Sequence, residues 1–292
     1  MKFSLSAHPP FSFLSVVNSH GWRQLAPFSY DENTSTLSYV LRLANGRVVE
    51  LHLRDAGDGI SVETEKLNRI ERREVADKVK WMFAVDMDFS PFYAASRGEP
   101  KLALAKKRTL GRVLRSPTLF EDVIKTILTT NTLWTATKNM ILKLVNELGE
   151  SLPEDIAKKA FPTPESIAAS SPEFLREKIR VGYRANAIHE LGVRVASGAF
   201  DLEALKASEL PTLELRKGLL KINGVGPYAA ANLLLILGRS DFIPIDSWAL
   251  KLVSHEWYRG EPITPKEVEK RFEKWGEFKG LAFWFWDWKY KG

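Results

Sequence analysis

The spacing of apolar residues changes period once along this chain, near residue 62, and that change fixes the class of fold. Before it, Leu37, Tyr39, Leu41 and Leu43 alternate with smaller or polar residues, as do Val49, Leu51 and Leu53. A period of two lines one face of a strand. Asn45-Gly46 lies between the two runs and signals a hairpin, because both residues tolerate positive φ. Phe11 to Val17 is expected to be a partner strand. Beyond residue 62, Glu63 to Phe83 is charged and helix-favouring, and Asp86 to Gly98 suits a short helix crossing to the next domain. From about residue 100 the helical period dominates. Phe120, Val123, Ile124, Ile127 and Leu128 form one stripe; Ile141, Leu144, Val145 and Leu148 form another, ended by Gly149. Thr118-x-x-Glu121 and Thr264-x-x-Glu267 read as capping boxes. Thr163-Pro164, Ser171-Pro172 and Thr264-Pro265 each place an N-cap residue before a proline at the first helical position. The expectation is an α+β chain. A small antiparallel β-domain spans 1–62, a helical connection spans 63–100, and a mostly helical, two-lobed region, read as all-α, spans 101–292.

The chain has 292 residues, 45% hydrophobic and 27% charged, which suits a soluble globular protein with room for two domains. No apolar run approaches the roughly 20 residues of a membrane span. The first residues lack the charged, apolar and small-residue regions of a secretory signal, so a cytoplasmic location is expected. There is no cysteine. That excludes a disulfide scaffold, a thiolate zinc site, a cysteine-ligated iron–sulfur cluster and a cysteine nucleophile. The net charge of +6 is unevenly spread: residues 1–100 carry 12 basic and 13 acidic side chains, residues 101–292 carry 30 and 23. If the chain binds a polyanion, the second part is the expected binder; the charge by itself does not establish such a partner.

The informative segment runs from Leu213 to Gly238. Leu213 to Lys221 reads as a helix, Asn223 to Gly226 as a tight turn, and Pro227 restarts a helix. Glycines permit a sharp turn and close approach of backbone to a ligand. The next helix presents N–H groups and the positive end of its dipole, which suits a phosphate. Taken alone, Gly-x-Gly reads first as a plain turn between two helices, with glycine as the helix stop, and only second as an anion site. About twenty residues on, Phe242-Ile243-Pro244-Ile245-Asp246-Ser247-Trp248 places an aspartate at the start of another helix.

This combination resembles the helix-hairpin-helix DNA glycosylase superfamily. The pattern Leu219-x-x-Ile222-x-Gly224-Val225-Gly226 and the Pro244-x-Asp246 that follows carry the resemblance. The segments from Gly111 to Glu121 and from Ile127 to Thr132, and Gly182-Tyr183-Arg184-Ala185, are similar to further parts of it. The β-rich N-terminus is similar to the 3-methyladenine glycosylase II and 8-oxoguanine glycosylase branches. The lack of cysteine separates the chain from the branches with an iron–sulfur cluster.

The resemblance implies duplex DNA with a damaged base as partner, bound by a monomer. It makes Asp246 the catalytic carboxylate beside the sugar, where positive charge develops as the base leaves. An N-cap aspartate has the same signature, and one carboxylate can do both. In lyase members a lysine stands two residues after the second hairpin glycine; here that residue is Tyr228, which forms no Schiff base. The chain thus looks like the monofunctional branch acting on alkylated purines. Tyr228, Trp275 and Phe278 are candidates for the base pocket, within an aromatic C-terminus that also holds Trp284, Trp286 and Trp288. Gly224, Gly226, Tyr228 and Lys221 are candidate phosphate contacts. Thr130, Asn131 and Thr132 are candidates for the turn that enters the minor groove. Catalysis needs no cofactor, and the carbonyls of Leu220, Ile222 and Val225 are the implied ligands of a monovalent cation, Na+ or K+. Two other readings stay open: an 8-oxoguanine glycosylase and lyase using another lysine, Lys221 or Lys251, and a non-catalytic DNA-binding module.

Overall fold

The computed structural model describes residues 1–286. Its strands are β1 (Lys2–Ser6), β2 (Phe28–Asp31), β3 (Thr36–Arg42), β4 (Val48–Asp55), β5 (Gly59–Glu63), β6 (Ser151–Leu152) and β7 (Asp155–Lys159). Its helices are α1 (Phe13–Val17), α2 (Arg69–Met82), α3 (Ser90–Ala95), α4 (Leu119–Thr129), α5 (Trp134–Leu148), α6 (Pro164–Ala168), α7 (Pro172–Phe174), α8 (Ala185–Ala196), α9 (Thr212–Leu219), α10 (Pro227–Ile236), α11 (Ser247–Trp257), α12 (Pro265–Phe272) and α13 (Lys279–Trp284). Contacts gather these elements into two units. The first holds residues 1–88 and 112–204, the second residues 89–111 and 205–286. Their limits do not coincide with breaks at residues 62 and 100, because packing and not composition decides which segments belong together. Among the described residues no helix is long and apolar enough to cross a membrane.

In the first unit, β1 to β5 form one antiparallel sheet in the order β1-β5-β4-β3-β2. Leu37 pairs with Leu53, Tyr39 with Leu51 and Leu41 with Val49, so the alternating residues share one buried face. The β3–β4 turn differs from the two-residue form that Asn45-Gly46 suggests. Of the two, only Gly46 has positive φ (89°), and the Leu43 N–H donates to the Arg47 carbonyl at 2.8 Å across a three-residue loop. The segment Phe11 to Val17 is not a strand: Ser12 caps α1, which buries Phe13, Val16 and Val17. Those positions fit a helix turn, and a run this short carries no decisive period. The expected all-α region also contains the hairpin β6–β7. Leu152 and Ala160 from that part pack with Val40 and Val48 of the sheet.

Helix α4 is buried on every side, polar residues included. The Lys125 ammonium lies 2.6 Å from Glu121 Oε1, and Tyr39 donates its hydroxyl to Glu121 Oε2 at 2.6 Å. Thr118 therefore forms only half of its capping box. Its hydroxyl accepts the Glu121 N–H at 3.3 Å, while the Glu121 carboxylate turns to Tyr39 and Lys125. Asp122 accepts from the Trp22 indole at 2.7 Å and from the Ser116 N–H at 3.0 Å. Burial nevertheless raises its pKa to about 7, since desolvation outweighs those donors. Burial also lowers His20 to about 4 and Arg115 to about 10.

In the second unit, α3 and the segment after it join the C-terminal helices. Phe92 lies 6.2 Å from Phe278, Lys101 pairs with Glu256 at 3.0 Å and Lys274 with Glu99 at 2.9 Å. Phe272, Trp275, Phe283 and Trp286 build an aromatic core, with ring centroids of neighbouring pairs 5.2–5.6 Å apart. Counted on the sequence, residues 89–111 and 205–286 carry 17 basic and 11 acidic side chains, a net +6. Residues 1–88 and 112–204 carry 23 and 24, a net −1.

Candidate active site on the hairpin unit

The hairpin forms because its apolar residues anchor both arms. Leu215, Leu219, Ile222 and Val225 are buried, while Lys221, Asn223, Gly224 and Gly226 are exposed. After α9 the Ile222 N–H donates to Leu219 and the Val225 N–H to Ile222, both at 3.0 Å. Gly224 takes φ +83°, a conformation that disfavours a side chain. Gly226 has an ordinary φ of −88°, and a Cβ there would meet nothing within 4 Å. Nothing in the protein itself requires glycine at 226. The open space in front of it is what a closely approaching ligand needs. Gly226 is also the N-cap of α10 and gives it no side-chain cap. An anion placed there completes the helix start.

Asp246 is the N-cap of α11. Its carboxylate accepts the Ala249 N–H at 2.8 Å, and the residue is exposed. Ile243 and Pro244 are buried just before it, which pins the aspartate at the helix start. The two meanings of the sequence signature are thus compatible: Asp246 caps a helix and still faces solvent. Tyr228, in the first turn of α10, is half-buried and touches a cavity of about 660 Å3. Trp275 and Phe278 do not line that cavity. Trp275 is 4% exposed inside the aromatic core, and Phe278 is half-buried with Phe92 as ring neighbour. Trp286 is buried too, and Trp288 lies outside the described residues. An aromatic count does not distinguish core from pocket wall. Lys221 and Lys251 are both exposed.

Thr130, Asn131 and Thr132 belong to the first unit and form the turn after α4. Asn131 is exposed with φ +46°, and its amide donates to the Tyr183 hydroxyl at 3.5 Å. The buried Arg184 guanidinium donates to the carbonyls of Thr130 and Asn131 and lies 4.5 Å from the Tyr183 ring centre. The Thr130 hydroxyl and, after it, the Asn131 amide hold the Tyr183 phenol below its ordinary pKa. Tyr183 is 67% exposed and Leu133, just past the turn, is 80% exposed. Neither residue is a site candidate on sequence alone. Gly182-Tyr183-Arg184 was visible as a motif, whereas Leu133 carries no local signal at all.

A helix, a glycine hairpin with an uncapped helix start, and an exposed aspartate at the next helix start make up a helix-hairpin-helix arrangement whose two helix starts face solvent. Residues 124–278, more than half of the chain, match the HhH-GPD superfamily of base excision DNA repair proteins, and the chain belongs to that family. It is 27% identical over 176 residues to the DNA-3-methyladenine glycosylase of Bacillus subtilis (strain 168). That match covers 59% of this chain and 57% of the relative, so it spans little more than half of the relative's length. The fold is shared with the 3-methyladenine DNA glycosylase of Archaeoglobus fulgidus, at a TM-score of 0.74 and 21% identity over 98% of this chain and 97% of that one. It is also shared with the 8-oxoguanine glycosylase/lyase of Clostridium acetobutylicum, at a TM-score of 0.73 and 22% identity over 98% and 97%. Both branches named by the resemblance are therefore represented.

Proposed function

We propose that this chain is a monofunctional DNA glycosylase that removes alkylated purines from duplex DNA, acting as a cytoplasmic monomer. The observation that carries the reading is Asp246, exposed and fixed by the Ala249 N–H at the start of α11. The C1′–N bond breaks, and its electron pair leaves with the base. The sugar passes through an oxocarbenium-like state, which the carboxylate stabilises electrostatically. Water adds to C1′ and gives its proton to Asp246. The products are free base and an abasic site. Tyr228 stacks on the extruded base, since a base inside the duplex is out of reach. It offers no amine, so no covalent intermediate forms at that position.

The hairpin N–H groups of Gly224, Gly226 and Tyr228, with Lys221, take the phosphate. Leu220, Ile222 and Val225 offer three neutral carbonyl oxygens, a donor set that suits a hard monovalent cation. Such an ion would fix the turn and bring positive charge near the phosphate. The Thr130–Thr132 turn enters the minor groove, and the exposed Leu133 and Tyr183 extend its apolar tip.

The test is a duplex carrying one alkylated purine, incubated with protein and then nicked with alkali. Asp246→Asn should cut excision by on the order of 10²–10³. Asparagine is as good an N-cap as aspartate, so thermal stability should hold. Undiminished excision in this variant would sink the assignment. Borohydride should trap no protein–DNA adduct; an adduct would make the chain a lyase acting through Lys221, Lys251 or another amine.

A further inference from the structure

The cavity beside Tyr228 is walled by Pro227, Tyr228 and Ala231 of α10, by α12, by the segment 242–245 and by Arg216 of α9. Its walls pair apolar residues with an excess of cations. Lys279 is matched by Glu269 at 2.8 Å. Among the described residues, no ion pair reaches Arg216, Lys266 or Lys270. Lys266 and Lys270 stand four residues apart on one helix face, where like charges repel. The Arg216 guanidinium lies over the Phe242 ring at 4.8 Å, and its Nε is buried without an acceptor. Glu273 is the other carboxylate on the wall. Three cations outside any ion pair, of which Lys270 alone acts on a carboxylate beyond the wall (Glu267), face the Glu273 carboxylate, and an anion completes the arrangement.

The position of the groove says which anion. Pro227 and Tyr228, in the first turn of α10, belong both to its wall and to the helix start that faces the hairpin phosphate. Through these two residues the wall is continuous with the helix start at the hairpin. We propose that the groove between α9, α10 and α12 is a second phosphate site, taking the DNA backbone beyond the phosphate held by the hairpin. The inference rests on reading the hairpin as a DNA contact. Two phosphates held on one strand fix the register of the nucleotides between them, which a single contact cannot do.

The salt dependence of binding to a duplex with a stable abasic analogue tests this. In a plot of log Kd against log[KCl], each of R216Q, K266Q and K270Q should lower the slope by up to roughly 0.9, the value for one released contact. The triple variant should lower it furthest and weaken binding. A control triple on the first unit, K2Q/K66Q/R69Q, should keep the wild-type slope. An unchanged slope in a triple variant that melts like the wild type overturns the proposal. Should the triple variant not fold, the exposed K266Q and K270Q decide singly by the same slope. If slopes stay unchanged while inorganic phosphate raises the melting temperature of the wild type but not of the triple variant, the groove is a free-anion site and the proposal is again overturned. Loss of excision in D246N alongside unchanged slopes would reject this inference alone. Failure of the wild type to bind the duplex would reject the proposed function with it.

Discussion

Asp246 and Asp122 show how far a single side chain can be read before its surroundings are known. Both follow a helix-start signal. Asp246 is exposed at an N-cap, and its neighbours Pro244 and Ser247 announced that place. Asp122 lies inside the first unit, and nothing local showed that Trp22, a hundred residues away in sequence, donates to it. Its titration has a consequence for stability. Between pH 3.8 and about 7 the folded protein keeps a proton on Asp122 that the unfolded chain has released. That contribution to stability is therefore lost as the pH rises through this window. His20 acts the other way: it stays neutral when folded, so it costs stability as the pH falls from 6.5 towards about 4. Asp122→Asn removes the first effect and keeps an acceptor for Trp22 and Ser116. Relative to the wild type, D122N should gain stability with rising pH, by at most ~1.36 kcal/mol per pH unit. Urea midpoints of both proteins at about pH 5 and about pH 7 measure the difference. A difference that does not change with pH rejects the raised pKa.

Among the elements, those fixed by local chemistry were legible and those fixed by distant contacts were not. Thr163, Ser171 and Asp246 cap the helices that they were expected to cap, because a cap needs only the next three residues. Strands β1 and β2 alternate over only five and four residues, too short a run to place them, and their positions come from pairing with β5 and β3. Helix α4 showed its apolar stripe but hid that its polar side is buried too. The hairpin is the most legible element, and its two glycines differ in kind. Gly224→Ala should cost about 1–2 kcal/mol of stability, because its φ of +83° crowds a Cβ. Gly226→Ala meets open space and an ordinary φ, so its stability cost should stay below about 1 kcal/mol, mostly from the weaker N-cap. DNA affinity should fall for both. Melting curves beside binding titrations separate the two, and a G226A protein that binds DNA like the wild type would remove the ligand from the argument for that glycine.

At the scale of the whole molecule, the excess basic charge and the hairpin share one unit, while the near-neutral unit holds the sheet, α4 and the turn after it. The composition had placed the excess charge only within residues 101–292. It could not show that residues 89–111 belong with the C-terminal helices, nor that the sheet belongs with α4. Both facts bear on where the chain can be cut. A chain beginning at residue 101 keeps everything that the sequence reads as the helical region. It also leaves Glu121 without the Tyr39 hydroxyl, Asp122 without the Trp22 indole and Phe278 without Phe92. Buried polar groups that lose a partner cost about 1–3 kcal/mol each, and α4 would in addition expose apolar residues now fully covered. Net stabilities of domains are about 5–15 kcal/mol, so the two polar losses alone are comparable with the lower end of that range, and the exposed apolar residues of α4 add to them. The residue 101–292 fragment should therefore show no cooperative thermal transition, whereas the whole chain should unfold cooperatively. Circular dichroism on heating tests this directly. A sharp transition in the fragment would mean that the sheet is an appendage, and that the helical region is a self-sufficient domain after all.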